Sequence, residues 1–361
     1  MKRRTETSLF IRVIRGENLR SRQVVRVGII GATSYTGEES MKILLRHQHA
    51  ELTAVTSRSE KGGPIGETFS SLRKSVNLSL ELFELDSFAK KVDVALCCLP
   101  HHVSMGLVPD LLKAGLKVID FSADYRIKDL ATYEKYYDHH TDPDNVAKAA
   151  FGLPELFRSQ IYGKQLIANP GCYPTATSLG LAPLLAKGLI ETDNIIANAV
   201  SGVSGAGRKA SLPYHIVEMS GNLFAYGVGG THRHSPEINQ ICSDVAGTKV
   251  NVLFQPHVAC FDRGILSTIY ARPKRPIGQV ELTELYQEFY GKEFFVRVLN
   301  APPTIKGVAF TNFCDIFPSI SADGKTVIVF SAIDNLIKGA SGQAIQNLNI
   351  LYGFKETEGL L

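Results

Sequence analysis

Residues 167–177 read IANPGCYPTAT. An Asn-Pro-Gly turn presents Cys172 at the start of a helix. Pro174 suits the first helical turn, where its missing N–H costs little. Unpaired N–H groups and the helix dipole at that end favour a thiolate and supply donors for a developing oxyanion. Cys172 therefore reads as a nucleophile. Cys97, Cys98, Cys242, Cys260 and Cys314 sit mostly in apolar or strand-like segments and read as structural.

A thiol nucleophile needs an acid–base partner. GGTHRHSPEI (229–238) offers two, because His232 and His234 face the same side of an extended chain. A His-x-His pair also suits a metal, but no third ligand lies nearby, so none is expected. SGVSGAGRKA (201–210) combines backbone N–H groups and serine hydroxyls with Arg208 and Lys209, the makings of an anion site rather than of a plain solvent loop.

GIIGATSYTG (28–37) follows a strand and opens a helix. Glycines there let the backbone turn tightly and approach a pyrophosphate at the helix N-terminus. The expected cofactor contacts are Gly31, Thr33, Ser34, Tyr35, Thr36 and Gly37. The next strand ends in Thr56-Ser57-Arg58 with no carboxylate for a ribose 2′-OH. Ser57 and Arg58 suit a 2′-phosphate, so NADP(H) is expected over NAD(H). Pro100 and His102 are expected to line the same cleft, with the remaining histidines mainly in loops or on helix surfaces.

These groups need elements to hold them. VVRVGIIGA (24–32), ELTAVTSR (51–58), VDVALCCLP (92–100) and LKVIDFSAD (116–124) read as strands, with helices over 36–48 and 103–115. That alternation predicts a parallel, doubly wound sheet. After Cys172 comes a helix over 175–188. Longer alternating strands then predict a mixed or antiparallel sheet, and a helix follows over 341–353. The fold class is α/β: a Rossmann-type domain plus an α+β catalytic domain. The expected division is an N-terminal extension at 1–23, a nucleotide-binding domain at 24–170 completed by 335–361, and a catalytic and dimerisation domain at 171–334.

The net charge of +4 belongs to the tail. Residues 1–23 carry seven Lys/Arg and two Glu, leaving 32 basic and 33 acidic residues elsewhere. Nothing argues for a nucleic-acid partner. No apolar stretch approaches the roughly 20 residues of a membrane span. The first 23 residues lack the long apolar run of a secretory signal and read as a loosely attached extension, a transit-like peptide or a misassigned start. Six cysteines without a C-x-x-C fit a reducing compartment. A cytoplasmic location is expected, or an organellar one if the tail is a transit peptide.

Together the motifs resemble the N-acetyl-gamma-glutamyl-phosphate reductases, relatives of aspartate-semialdehyde dehydrogenase. The matching runs include GATSYTG (31–37), LPHHVS (99–104), DFSADYR (120–126), NPGCYPTA (169–176), SGVSGAGR (201–208), AYGVGGTHRHSPEI (225–238) and DNLIKGASGQAIQN (334–347). Ser34 stands where that family commonly has a glycine. The resemblance implies that Cys172 forms a thioester from an acyl phosphate and that NADPH reduces it. His232 would be the acid–base residue and His234 would hold substrate. Asn169, Tyr226 and Glu237 would join that wall. Arg208, with Ser201, Gly202 and Ser204 of its loop, would bind the acyl phosphate. Leu99, Pro100 and Ser122 would meet the cofactor, and Asn335 would return to the nicotinamide. A small-molecule substrate and a homo-dimer or tetramer are implied. A lysine-pathway homologue acting on a longer or carrier-bound substrate shares this core. A non-catalytic NADP-sensing regulator is disfavoured, because Cys172 and both histidines are present.

Overall fold

The computed structural model describes residues 24–57 and 62–361. The 1–23 extension and Arg58 lie outside the described residues. Strand β1 (Val25–Ile30) is buried except at Arg26 and leads into helix α1 (Tyr35–Leu44). Then come β2 (Ala50–Ser57), β3 (Glu81–Leu82), β4 (Val94–Cys97), β5 (Lys117–Asp120), β6 (Ala150–Phe151), helix α2 (Pro154–Ile161) and β7 (Leu166–Ala168). The seven strands pair in the order β3-β2-β1-β4-β5-β7-β6, all parallel. Strand order reverses between β1 and β4, and the crevice outside their carboxyl ends is where such sheets bind ligands.

Residues 103–115 are not one helix. A 3-10 turn at Ser104–Gly106 precedes a helix at Val108–Lys113. Pro109 opens that second helix, and the Met105 N–H turns aside to Asp124 Oδ2 at 3.0 Å.

The second half begins with α3 (Cys172–Ala186), which starts at the cysteine itself. It is followed by β8 (Ile195–Gly202), β9 (Leu223–Ala225), α4 (Ser235–Ala246), β10 (Val252–Ala259), β11 (Ile265–Ala271), α5 (Gln279–Tyr290), β12 (Val296–Val298), β13 (Cys314–Ile320) and β14 (Val327–Ile333). Their order is β12-β13-β14-β11-β8-β10-β9. The β8–β10 and β12–β13 pairs are parallel and the rest antiparallel, so the sheet is mixed.

Helix α3 has no polar face, because Tyr173 through Leu185 are all buried. Pro183 inside it leaves the Leu179 carbonyl without its helical N–H donor. The Tyr290 hydroxyl of α5 donates to that carbonyl at 2.5 Å, and Tyr286 donates to Gly180 O at 2.6 Å. The helix carrying Cys172 is thus fixed by side chains over 100 residues away in sequence.

After β14 a π-helical turn at Ile337–Ser341 leads into α6 (Gly342–Tyr352). Ala344, Ile345 and Leu348 of α6 pack with Val27, Ile29 and Met41 in the core of the first sheet. Lys338 of the turn is fully buried against Glu155 of α2 at 2.6 Å. Among the described residues, no helix is long and apolar enough to cross a membrane.

Asp120 ends β5 in full burial, with Oδ1 unpartnered. Burial and the neighbouring Asp124 charge push its carboxyl up to about 6. A raised folded-state pKa means stability is full below the unfolded value near 3.8 and is lost as pH rises through about 6. Two pKa units correspond to about 3 kcal/mol. Asp120→Asn is therefore expected to be more stable than the parent at pH 8, with the gap closing toward pH 4. Urea unfolding at both pH values checks this, and an equal midpoint difference at both would refute it.

Candidate active site

At the nucleotide end, Gly31 adopts φ +82°, and a Cβ there would lie 2.3 Å from the Cys98 carbonyl oxygen. Only glycine fits. Ser34, at the position where the resembled family often has glycine, has φ −81° and caps α1. Its hydroxyl accepts from Gly37 N at 3.0 Å and donates to Gly31 O at 2.9 Å. The turn therefore keeps its shape without the second glycine. Thr33, Tyr35, Thr36 and Gly37 surround the start of α1, and Leu99 packs against Gly31 with Pro100 exposed beyond it. Ser57 lies buried at the end of β2. A tight strand–helix turn with N–H groups at a helix start fits a dinucleotide phosphate. Ser122, just past the carboxyl end of β5, donates to Asp120 at 2.6 Å.

Cys172 is the first residue of α3 and lines a cleft of about 340 Å³. A Cβ on Gly339 of the π-turn would sit 2.7 Å from that of Cys172, so glycine lets this turn close on the nucleophile. The preceding turn is braced from behind. Gly171 N donates to Glu237 Oε1 at 2.8 Å, Glu237 pairs with Arg126 at 3.2 Å, and Arg126 Nε donates to Asn169 O at 2.7 Å. Asn169 donates to Ala340 O at 3.0 Å and accepts from Asn347 at 3.1 Å. Asn169 and Glu237 therefore hold the turn, and their side chains are engaged behind it.

Helix position alone predicts a low thiol pKa, and here another effect prevails. The Tyr173 and Cys172 N–H groups and Arg126 pull it down, but burial outweighs them and lifts the thiol to about 11. Cys98, Cys242 and Cys314 are raised further, to about 12, chiefly by burial.

Both expected histidines reach the cleft. The His234 N–H donates to His232 Nδ1 at 3.0 Å. A backbone N–H can only donate, so Nδ1 of His232 is unprotonated and neutral His232 carries its hydrogen on Nε2. Burial, then Arg233, lowers its pKa to about 4. His234 lies closer to the nucleophile's turn, with Nε2 2.7 Å from where a Cβ on Gly171 would be. Its Nδ1 is buried without a partner. Burial, then His232 and Arg126, holds His234 well below the usual histidine range. Tyr226 completes the wall by donating to the Tyr173 hydroxyl at 3.1 Å, and Ser201 and Gly202, the last residues of β8, line it.

Three further expected contacts, Arg208, Ser204 and Asn335, are engaged by partners within the protein. Gly207, with φ +77°, ends the 3-10 turn of this loop. Arg208 then donates to Thr33 O at 2.6 Å and stacks 4.8 Å over Phe69, on the nucleotide side rather than beside Cys172. Ser204 Oγ accepts from Asn335 Nδ2 at 3.0 Å, and Asn335 Oδ1 accepts from Gly264 N at 2.6 Å. Both ends of the Asn335 amide are used within the protein. Conversely, Arg126, Arg233 and His101 were not singled out from the sequence. His101 and Arg233 line the cleft, and Arg126 lies just behind it. All three sit inside runs already notable for other residues, DFSADYR, THRHSPEI and LPHHVS. Among the described residues no His, Cys, Asp or Glu cluster could hold a metal.

Residues 26–164 match the family model described as semialdehyde dehydrogenase, NAD binding domain, and 172–335 match semialdehyde dehydrogenase, dimerisation domain. The chain is 48% identical over 339 residues to the N-acetyl-gamma-glutamyl-phosphate reductases of Pelobacter propionicus and Geobacter sulfurreducens, covering 93% of this chain and 98% of each relative. Among solved structures it is similar to aspartate semialdehyde dehydrogenase II from Vibrio cholerae (TM-score 0.69, 16% identity, 91% of this chain, 98% of that one). It is also similar to aspartate semialdehyde dehydrogenase with NADP from Candida albicans (TM-score 0.67, 16% identity, again 91% and 98%). At that identity the two structures speak for the fold.

Proposed function

The chain belongs to the semialdehyde dehydrogenase family, among the N-acetyl-gamma-glutamyl-phosphate reductases, and from that premise we propose that it reduces N-acetyl-L-glutamyl 5-phosphate to the 5-semialdehyde in arginine biosynthesis, with Cys172 as nucleophile. The observation that carries this reading is Cys172 at a helix start in a cleft shared with two neutral histidines.

We assign NADP(H) to the Gly31–Gly37 turn and the crevice beside β4, with the first sheet and α6 as the nucleotide-binding unit. The cofactor, when bound, supplies the hydride. The protein's own part begins with the thiol. A thiol near 11 is protonated at neutral pH, so His234, the imidazole nearest the turn, takes its proton as sulfur attacks the acyl carbon. The C–O bond to phosphate breaks and phosphate leaves, giving a thioester on Cys172. The N–H groups of Cys172 and Tyr173 stabilise charge on sulfur and acyl oxygen. His232 donates from Nε2 to the acyl oxygen. After hydride transfer the thiohemiacetal collapses, the aldehyde departs and the proton returns to sulfur. The fixed tautomer of His232 suits a donor and not a base, which reverses the roles expected from the sequence.

Arg208 belongs with the cofactor, since it already rests on the Thr33 carbonyl. Arg208→Ala is expected to raise the KM for NADPH about tenfold, the size of one charge-assisted hydrogen bond, with the phosphate KM unchanged. A rise in the phosphate KM alone would return Arg208 to the substrate. The outer face of the second sheet exposes Ile196, Leu253 and Tyr270, with Phe317 stacked on Phe330. A second copy covering that face would make the enzyme a homodimer, in keeping with the family model's description. A cytoplasmic site of action accords with a biosynthetic role.

The test is the reverse reaction, following NADPH formation from N-acetylglutamate semialdehyde, NADP and phosphate. Phosphate-dependent NADPH formation is expected. Activity only with the longer aminoadipate homologue would move the enzyme to lysine biosynthesis, and silence with folded, NADPH-binding protein would sink the catalytic reading.

A further inference from the structure

The acyl phosphate carries charged oxygens into the cleft, and Arg208 lies on the nucleotide side. The cation that does line the cleft is Arg233, which is exposed there. His101 lines the same cleft, delivered from the first sheet by the loop after β4. Its Nδ1 accepts the Ala123 N–H at 3.0 Å. As with His232, a backbone N–H there leaves a neutral imidazole only one tautomer, with hydrogen on Nε2.

The loop that aims this ring is over-determined. His102 is left-handed, with φ +70°, an unusual conformation for a non-glycine residue. Asp124 holds the strained turn by accepting from His102 N and Met105 N, both at 3.0 Å. Backbone strain that the surroundings enforce is concentrated at functional sites. Tyr137 ties His101 to Arg233. Its ring meets His101 edge-on at 5.1 Å, the Arg233 guanidinium lies 5.8 Å over it, and its hydroxyl donates to Arg233 O at 3.1 Å.

We propose that His101 is a substrate-binding residue whose Nε2–H, fixed in one tautomer, donates to a phosphoryl oxygen of the acyl phosphate beside Arg233. The proposal rests on the function proposed above. Burial, with Arg126 and Arg233 nearby, pushes His101 down to about 3. A neutral ring keeps Nδ1 as the acceptor of the Ala123 N–H, which fixes the hydrogen on Nε2. The first sheet thus contributes a substrate contact as well as the cofactor site, and phosphate recognition spans both halves of the chain.

His101→Asn and His101→Gln separate positioning from binding. Asparagine places an acceptor where Nδ1 took the Ala123 N–H but loses the Nε2–H. Glutamine reaches the Nε2 position with an amide N–H. In the phosphate-dependent reduction of NADP, His101→Asn is expected to raise the phosphate KM about tenfold, as for one hydrogen bond to a charged group, with the NADP KM unchanged. His101→Gln is expected to recover most of that loss. An unchanged phosphate KM in His101→Asn, with NADP affinity intact, would overturn the proposal. So would a rise confined to the semialdehyde KM, which would place the donor on the substrate's carboxylate. Absence of phosphate-dependent activity in the parent protein would instead overturn the function on which it rests.

Discussion

Cys172→Ala is expected to bind NADPH normally and to lose turnover by about 10⁴-fold or more, the scale seen when a covalent nucleophile is removed. Alanine keeps the Cβ against which Gly339 packs, so the π-turn and the start of α3 are retained. The loss then reports chemistry and not collapse of the turn. Steady-state rates alongside NADPH titration by fluorescence check it. A variant with near-parental rate would remove covalent catalysis.

The second large effect separates the two histidines. His234→Asn is expected to lower kcat by about 10²- to 10⁴-fold, the usual contribution of a general acid–base group. His232→Asn removes only a neutral donor and should cost about 10–100-fold, one hydrogen bond to a developing charge. Asparagine at 232 can still accept the His234 N–H, which preserves the turn. Parallel kcat and KM measurements decide. A larger loss at His232 than at His234 would restore the roles first read from the sequence.

What was legible in the sequence was local. The strand–glycine–helix run at Val25–Leu44 carries its own geometry, since Gly31 needs a positive φ and Ser34 caps the helix it opens. NPGCYPT likewise announces a turn and a helix start, and the helix does begin at Cys172. What tertiary contact decides was not legible. Helix position favours a thiolate, yet burial in the folded cleft lifts the thiol instead. The tautomer of neutral His232, on which the proposed roles rest, turns on a single backbone hydrogen bond. Arg208 carries the right charge for an acyl phosphate, but its hydrogen bond to the Thr33 carbonyl is a tertiary contact. His101 and Arg233 are 132 positions apart in the chain and are brought together in the fold against Tyr137. The helix over 103–115 failed for a local reason that periodicity hides, a proline that restarts the helix at Val108.

The most direct test of covalent catalysis is the mass of the chain after brief mixing with N-acetyl-γ-glutamyl phosphate without NADPH. The expected result is one N-acetylglutamyl group in place of the thiol hydrogen, carried on the peptide that contains Cys172 and discharged on adding NADPH. An unmodified chain that nevertheless turns over when NADPH is added, or an adduct on any other residue, would contradict Cys172 as the nucleophile.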